Sequence, residues 1–354
     1  MDQKFIKNFT FDDAREYFRS VGEKDFRTEQ LFSWIYERNI LSFDEMTNFS
    51  KQLRADLSAR FAVSALEAVD RKISRDNSAE KFLFKTHDGH YIESVLLKNS
   101  FSEEGRLTVC VSSQVGCAMG CTFCATAKLG FIRSLETAEI IDQICQIRRI
   151  TGLKNNNVVF MGMGEPFNNY ENVMRAADIM NYSFGFHISV RKITISTCGI
   201  LPGIERFFKE NRTYNLAISL NDTAPDTRAR SMPVEKKYPI ADVAAFLGSA
   251  EPRNHGGRVT LEYVMRKDNI SKLDAERMKK LFRNSKIKIN LIPLNKISGG
   301  DAVPSDDEIK KFITDCEIMN VPINVRKSLG SDIDGACGQL SGKRYAEDIT
   351  KCGI

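Results

Sequence analysis

The chain has 354 residues, 27% charged and 42% hydrophobic, with a net charge of +5 and a pI near 8.6. That length supports a large core and two domains. No run of about 18 apolar residues offers a membrane span, and Met1 to Lys7 hold no apolar stretch for a secretory signal. Nine cysteines in a chain this long imply thiols kept reduced, so the expected compartment is the cytoplasm. The mild basicity is compatible with a nucleic-acid partner but does not point to one.

Residues 1–64 read as a small helical module. Apolar residues recur at helical spacing over 11–19, 27–36 and 53–61, with polar joints such as Gly22-Glu23-Lys24-Asp25 between them. Over 65–105 the pattern turns β-prone. The runs 81–85 and 91–97 flank His87-Asp88-Gly89-His90, and Asp-Gly between such runs marks a hairpin turn. Alternation sets Tyr91, Glu93 and Val95 on one face and Ile92, Ser94 and Leu96 on the other. An acidic residue in such a strand marks either a site or an exposed surface, and the local pattern leaves both open.

From 106 onward, strand, loop and helix repeat. Strands are expected at 107–112, 157–161, 192–196, 215–220, 259–264, 288–292 and 323–326, and helices at 136–150, 172–180, 273–282 and 306–319. This alternation implies a parallel sheet with right-handed crossovers. The fold class is therefore α/β: a partial (β/α) barrel over 106–354, a β-hairpin linker region over 65–105, and the helical module over 1–64.

Cys117, Cys121 and Cys124 stand at the spacing C-x3-C-x2-C, with Gly116 and Gly120 able to fold the backbone tightly beside them. Zinc prefers four ligands, and no histidine lies between His90 and His187. A cubane iron–sulfur cluster is normally held by four thiolates, so three would leave one iron open to a substrate. A structural metal knuckle or three buried free thiols are the plainer alternatives. In a βα barrel the chemistry sits at the carboxyl ends of the strands. There the sequence places Gly164-Glu165-Pro166, Ser196 and Cys198, Ser219-Leu220-Asn221, Asn295, and a glycine-rich stretch that carries Cys337 between Gly335 and Gly338. Cys110, on the first of these strands, lies seven residues before Cys117, and an inward orientation would point it at the same rim. Cys145 and Cys316 fall at apolar helical positions and belong to the core, and Cys352 is incidental.

The string CVSSQVGCAMGCTFCATAKLGF, from Cys110 to Phe131, resembles the radical S-adenosylmethionine (SAM) superfamily. Within it, the string is similar to the RNA methyltransferases that methylate an adenine at C2 in 23S ribosomal RNA and tRNA. Matches run from Glu93 to Leu340, and the first 80 residues match more loosely. The resemblance implies a radical-SAM partial barrel and an N-terminal module that helps hold folded RNA. It implies a 4Fe–4S cluster on Cys117, Cys121 and Cys124, and SAM bound by Gly164, Glu165, Ser196, Ser219, Leu220, Asn221 and Asn295. It also implies three catalytic groups. Cys337 carries the methyl group and becomes crosslinked to RNA, Glu93 takes the C2 proton, and Cys110 releases the product through a transient disulfide. An external electron donor such as a flavodoxin would reduce the cluster.

Two residues depart from the family pattern: Asn221 stands where histidine is more usual, and Cys198 where serine is. The relatives that methylate adenine C8 tend to have alanine after the glutamate, where this chain has Pro166. An iron–sulfur RNA-binding protein without catalysis is the alternative from another class. It would form no deoxyadenosine from SAM and a reductant.

Overall fold

A computed structural model describes residues 4–99, 105–249, 256–294, 303–317, 320–326 and 329–340. The amino-terminal helices are α1 (Phe11–Ser20), α2 (Phe26–Phe32) and α3 (Lys51–Arg60). Helix α1 starts where the Thr10 hydroxyl accepts from the Asp13 N–H and the Asp13 carboxylate accepts from the Thr10 N–H. Ser50 caps α3 with a single bond, its hydroxyl accepting from the Leu53 N–H. The chain past α2 widens into one π-helical turn, Ser33–Glu37, which brings Ile35 and Tyr36 inward.

The module shares its core with the rest of the chain. Phe11 stacks on Tyr182 at 4.6 Å, and Tyr36 lies 5.0 Å from Phe186. Beneath them the Lys7 ammonium pairs with the Asp142 carboxylate, both fully buried. The second oxygen of Asp142 accepts from the Ser64 hydroxyl and from the N–H groups of Ala65 and Leu66. One carboxylate thus ties the module's first turn and its exit segment to the barrel.

Three antiparallel strands follow: β1 (Leu66–Ile73), β2 (Ala79–Thr86) and β3 (Tyr91–Asn99). After β4 (Arg106–Cys110) comes a separate two-stranded arm, β5 (Gln114–Gly116) and β6 (Phe131–Ser134), and then α4 (Thr137–Thr151). The remaining strands are β7 (Asn157–Phe160), β8 (Ile193–Thr197), β9 (Asn215–Ser219), β10 (Val259–Met265), β11 (Lys288–Pro293) and β12 (Ile323–Val325). Helices α5 (Tyr170–Asn181), α6 (Leu201–Lys209), α7 (Pro225–Ser231), α8 (Ile240–Leu247), α9 (Lys272–Phe282) and α10 (Asp306–Cys316) lie between them.

One sheet runs in the order β1-β2-β3-β4-β7-β8-β9-β10-β11-β12, antiparallel as far as β4 and parallel beyond it. Its ends, β1 and β12, do not pair with each other, so the barrel is open. No described helix is long and apolar enough to cross a membrane.

Two sequence expectations change. The 65–105 region is not a linker, because its strands extend the barrel sheet by three. The cysteines do not follow β4 directly but sit at the turn of the β5–β6 arm. Helices α6, α7 and α8 went unread because they are short and, in α6 and α7, open on a proline region that also reads as a turn.

Replacing Asp142 with alanine should cost about 3–5 kcal/mol, since it leaves the Lys7 charge buried and unpaired. Chemical denaturation followed by circular dichroism would measure this. A loss within about 0.5 kcal/mol, the usual range for surface changes, would mean that the pair does not hold the module.

Candidate active site

The cysteine loop is closed by its own backbone. Cys117 donates its N–H to the Gly130 carbonyl at 2.7 Å, and Cys124 donates to the Cys121 carbonyl at 3.1 Å. Gly116 sits at φ +73°, where a Cβ would stand 1.9 Å from the Gly130 oxygen, so only glycine fits. The three thiols are free and half-buried. Burial pushes Cys117 and Cys121 up to about 12, and each is raised further by neighbouring thiols and by Glu165. A metal binding here must displace those protons.

Among the described residues, the trio whose ligand atoms all lie within 4.8 Å of one another is His87, Asp88 and Glu139. Three thiols on one loop with no histidine beside them are the donor set of a cubane, which puts each thiolate on a different iron, rather than of a four-ligand zinc site. The His87 trio is already served by a cation, because the Arg133 guanidinium donates to Asp88 and Glu139 at 2.6–2.8 Å.

Beside the cysteines lies the end of β7. Gly164 has φ +99°, and a Cβ there would come within 2.5 Å of Gln114, whose side-chain oxygen accepts the Glu165 N–H at 2.9 Å. The buried Glu165 carboxylate accepts from the N–H groups of Phe167 at 3.1 Å and Cys198 at 2.8 Å. Burial raises its pKa, against the pull of these bonds. The Cys198 thiol also hydrogen-bonds to this carboxylate, as a serine hydroxyl would. Ser196 and Ser219 are half-buried at the ends of β8 and β9.

Leu220 is fully buried and contributes backbone, its N–H donating to the Glu262 carbonyl at 2.9 Å. Asn221 has φ +56°, a left-handed conformation that asparagine tolerates well. Its side-chain oxygen accepts the Val264 N–H at 3.0 Å, and its amide faces the Met232 sulfur at 3.4 Å. Both departures thus have internal partners. Asn295 lies outside the described residues.

Sequence reasoning missed Arg228. It is fully buried on α7 and donates to the carbonyls of Cys198, Ser219 and Leu220 at 2.8, 3.1 and 3.0 Å while pairing with Glu235. These are carbonyls that the parallel ladder leaves over where β8 and β9 end. No local signal distinguishes Arg228 from Arg230, which is exposed.

The remaining sequence-named groups come together at the antiparallel end of the sheet. Cys110 pairs across from Val95, two residues beyond Glu93, so Glu93 and Cys110 share one face. Glu93 is buried, with Lys81 Nζ 3.1 Å from its Oε1. The Cys337 loop rests on both flanks of this site. Gly338 accepts the Ala125 N–H at 2.7 Å, beside the cysteine loop, and Asp332 accepts the Arg75 N–H at 3.0 Å, at the β1–β2 turn. Cys337 is exposed, whereas Cys110 is buried.

Burial pushes the Cys110 thiol up to about 12, and the nearby Cys337 adds to the rise. Desolvation raises the Cys337 thiol too, although the residue as a whole is exposed, while the Arg326 guanidinium opposes the rise at both thiols. All the described cysteines are free thiols, so the disulfide implied for turnover is not formed here.

Residues 6–63 match the family described as ribosomal RNA large subunit methyltransferase N-terminal domain, and residues 111–275 match the radical SAM superfamily. A dual-specificity RNA methyltransferase RlmN from Geotalea uraniireducens is 41% identical over 97% of this chain and 98% of its own. A probable RlmN from Clostridioides difficile is 39% identical over 96% and 97%. The crystal structure of a radical SAM methyltransferase from Sphaerobacter thermophilus superposes with a TM-score of 0.89 at 37% identity, over 96% of this chain and 99% of that one.

The chain belongs to the RlmN family of RNA methyltransferases. It is a SAM-dependent enzyme of the radical SAM class, with a 4Fe–4S cluster and SAM as its cofactors. The expected α/β partial barrel is the fold of that class.

Gly116→Ala forces a Cβ into the Gly130 carbonyl and should open the cysteine loop. The variant is expected to keep its far-ultraviolet dichroism and lose most of the iron that wild type takes up on anaerobic reconstitution. Full iron content would show that the arm tolerates the change.

Proposed function

We propose that the enzyme methylates C2 of an adenine in 23S ribosomal RNA and in tRNA, with Cys337 as the carrier, Glu93 as the base and Cys110 as the resolving thiol. The observation that carries this reading is the convergence of three groups distant in sequence. Glu93 and Cys110 lie on one sheet face, and the Cys337 loop reaches that face through the Asp334 carbonyl, 3.3 Å from the Lys81 ammonium that pairs with Glu93. A structural iron–sulfur protein has no need of that constellation.

In this reading Cys117, Cys121 and Cys124 hold the cluster, and the strand ends at Gly164, Glu165, Ser196, Ser219, Leu220 and Asn221 form the SAM wall. Bound there, the cofactors supply an activated methyl group and hydrogen-abstracting radical chemistry. The chain's own residues do the rest. Cys337, the exposed thiol, accepts the methyl group. Cys110, which is buried, is the less accessible of the two. Once the carbon bridges Cys337 and the base, Glu93 accepts the C2 proton. The Cys110 sulfur then attacks Cys337, the sulfur–carbon bond breaks, and methylated RNA leaves as a disulfide forms.

Residues 1–64 are assigned to RNA holding, 65–105 to the strands that bear the base, and 106–354 to the catalytic barrel. A cavity of about 800 Å³ between the module and the barrel supports the first assignment. It is lined by Arg38, Arg148, Lys154, His187 and Lys192, with Glu37 as its acid, and suits a phosphate backbone. The half-exposed cysteine loop leaves a side from which an external donor of the flavodoxin kind could reduce the cluster.

The test is anaerobic turnover with SAM, a reductant and either RNA, followed by mapping of the modified base. 2-Methyladenosine is expected, 8-methyladenosine would place the chain with the C8 relatives, and absence of both deoxyadenosine and methylated base would sink the reading. Cys110→Ala should methylate Cys337 and then retain RNA covalently, as a slow-migrating band that nuclease collapses. Cys337→Ala, and the double variant with it, should form no such band. Free methylated RNA released by Cys110→Ala at the wild-type rate would reduce Cys110 to a packing residue.

A further inference from the structure

We propose that Lys81 is a positioning residue for the proton-transfer step, holding the Glu93 carboxylate and the Cys337 loop in one fixed relation. The inference rests on the reading of Glu93 as the base and Cys337 as the carrier. Neither that reading nor the family string assigns Lys81 a role.

The placement follows from strand register. Lys81 on β2 stands opposite Val95 on β3, and Val95 stands opposite Cys110 on β4. Residues directly opposite each other point to the same side of a sheet, so Lys81, Val95 and Cys110 form one row on the face that also bears Glu93. Two strand spacings separate Lys81 from Cys110, about 9.6 Å. The Lys81 ammonium is buried and has two partners in different parts of the chain. One is Glu93 Oε1 at 3.1 Å, and the other is the Asp334 carbonyl at 3.3 Å, three residues before Cys337. The contact is local to the hairpin on one side and spans 253 residues of sequence on the other.

A lysine buried this deeply is rare without a reason, because its charge must be matched inside the protein. Here the match is the base itself. The contact fixes the direction in which the Glu93 carboxyl group points, which a positioned general base needs. When the C2 proton passes to Glu93, the electron pair of the broken C–H bond stays in the adenine ring. The Asp334 contact holds the carrier loop against the same nitrogen, so the carbon on Cys337 and the accepting oxygen are fixed through one side chain. A displacement of about 1 Å at such a site can cost about 100-fold in rate.

The experiment compares Lys81→Met, Lys81→Arg, Glu93→Gln and the double variant Lys81→Met/Glu93→Gln, each reconstituted anaerobically. Three readouts are followed: mass gain on Cys337, deoxyadenosine formed, and the rate at which the protein–RNA adduct resolves. Lys81→Met should methylate Cys337 and cleave SAM, but resolve the adduct about 10- to 100-fold more slowly. Lys81→Arg should recover part of that loss. The double variant, which buries no unpaired charge, should be no slower than Glu93→Gln alone, since Lys81 acts through Glu93. It also remains informative if Lys81→Met fails to fold.

Normal resolution in Glu93→Gln would overturn the assignment of the base and this inference with it. Stalled Glu93→Gln alongside wild-type resolution in Lys81→Met would overturn the inference alone. A double variant slower than Glu93→Gln, or a loss in Lys81→Met spread equally over all three readouts, would reduce Lys81 to a general structural part.

Discussion

The site depends on how the sheet ends at Ser112. Beyond β4 the ladder stops, and backbone groups there must find partners elsewhere or cost about 1–3 kcal/mol each. Gln143, fully buried on α4, supplies them. Its oxygen accepts from the Ser112 N–H at 2.7 Å and the Ser94 hydroxyl at 2.6 Å, and its amide donates to the Ser112 carbonyl at 3.0 Å. The Ser112 hydroxyl in turn donates to the Glu93 carbonyl at 2.6 Å and accepts the Met163 N–H at 2.9 Å. One serine thus fixes the strand that bears Glu93, the arm that bears the cysteines, and the loop that leads into Gly164 and Glu165. Gly162 permits this crossing, because a Cβ there would stand 2.6 Å from the Val111 oxygen.

A second set of constraints is ionic. Lys7–Asp142 ties the helical module down, and Arg228–Glu235 gathers the ends of β8 and β9. Arg266–Asp222 does the same near β10, with Ser231 donating to the other Asp222 oxygen. Desolvating such charges is costly, and apolar pairs of equal volume are often as stable. Each pair here also satisfies leftover backbone or side-chain groups where regular structure ends. That second role, which a leucine could not fill, is a sufficient reason for charge in these places.

Much of this was legible from residues alone. The seven parallel strands were read nearly to their ends, because short β-prone runs alternating with helical ones leave little choice of sheet. The cysteine spacing and the glycines beside it carried their meaning in one local string. Other features were hidden because they are relations between distant segments. Glu93 could not be told from a surface acid until Lys81 stood 3.1 Å away. Arg228 shows its role only through three carbonyls at the ends of two other strands. The 65–105 region read as a hairpin linker because β1, with mostly exposed side chains, has no inward-facing apolar pattern to announce it.

The antiparallel strands explain how a loop with little structure of its own can hold Cys337 in place. Gly330, Asp334 and Gly338 take left-handed conformations, so the loop around Cys337 is held by no regular ladder. Ordering such a segment costs about 1–2 kcal/mol of backbone entropy per residue. The restoring contacts come from two sides. The β1–β2 hairpin offers the Arg75 N–H, the Lys81 ammonium and the close approach of Ala79 to Gly330. The cysteine arm offers the Ala125 N–H and the Thr126 hydroxyl, the latter to Leu340. Without strands β1 to β3 one side of that support would be missing, and Cys337 would hang from the cysteine arm alone. The extension of the barrel sheet is therefore part of the site, and the boundary that sequence pattern drew at 105 divides residues whose geometry is shared.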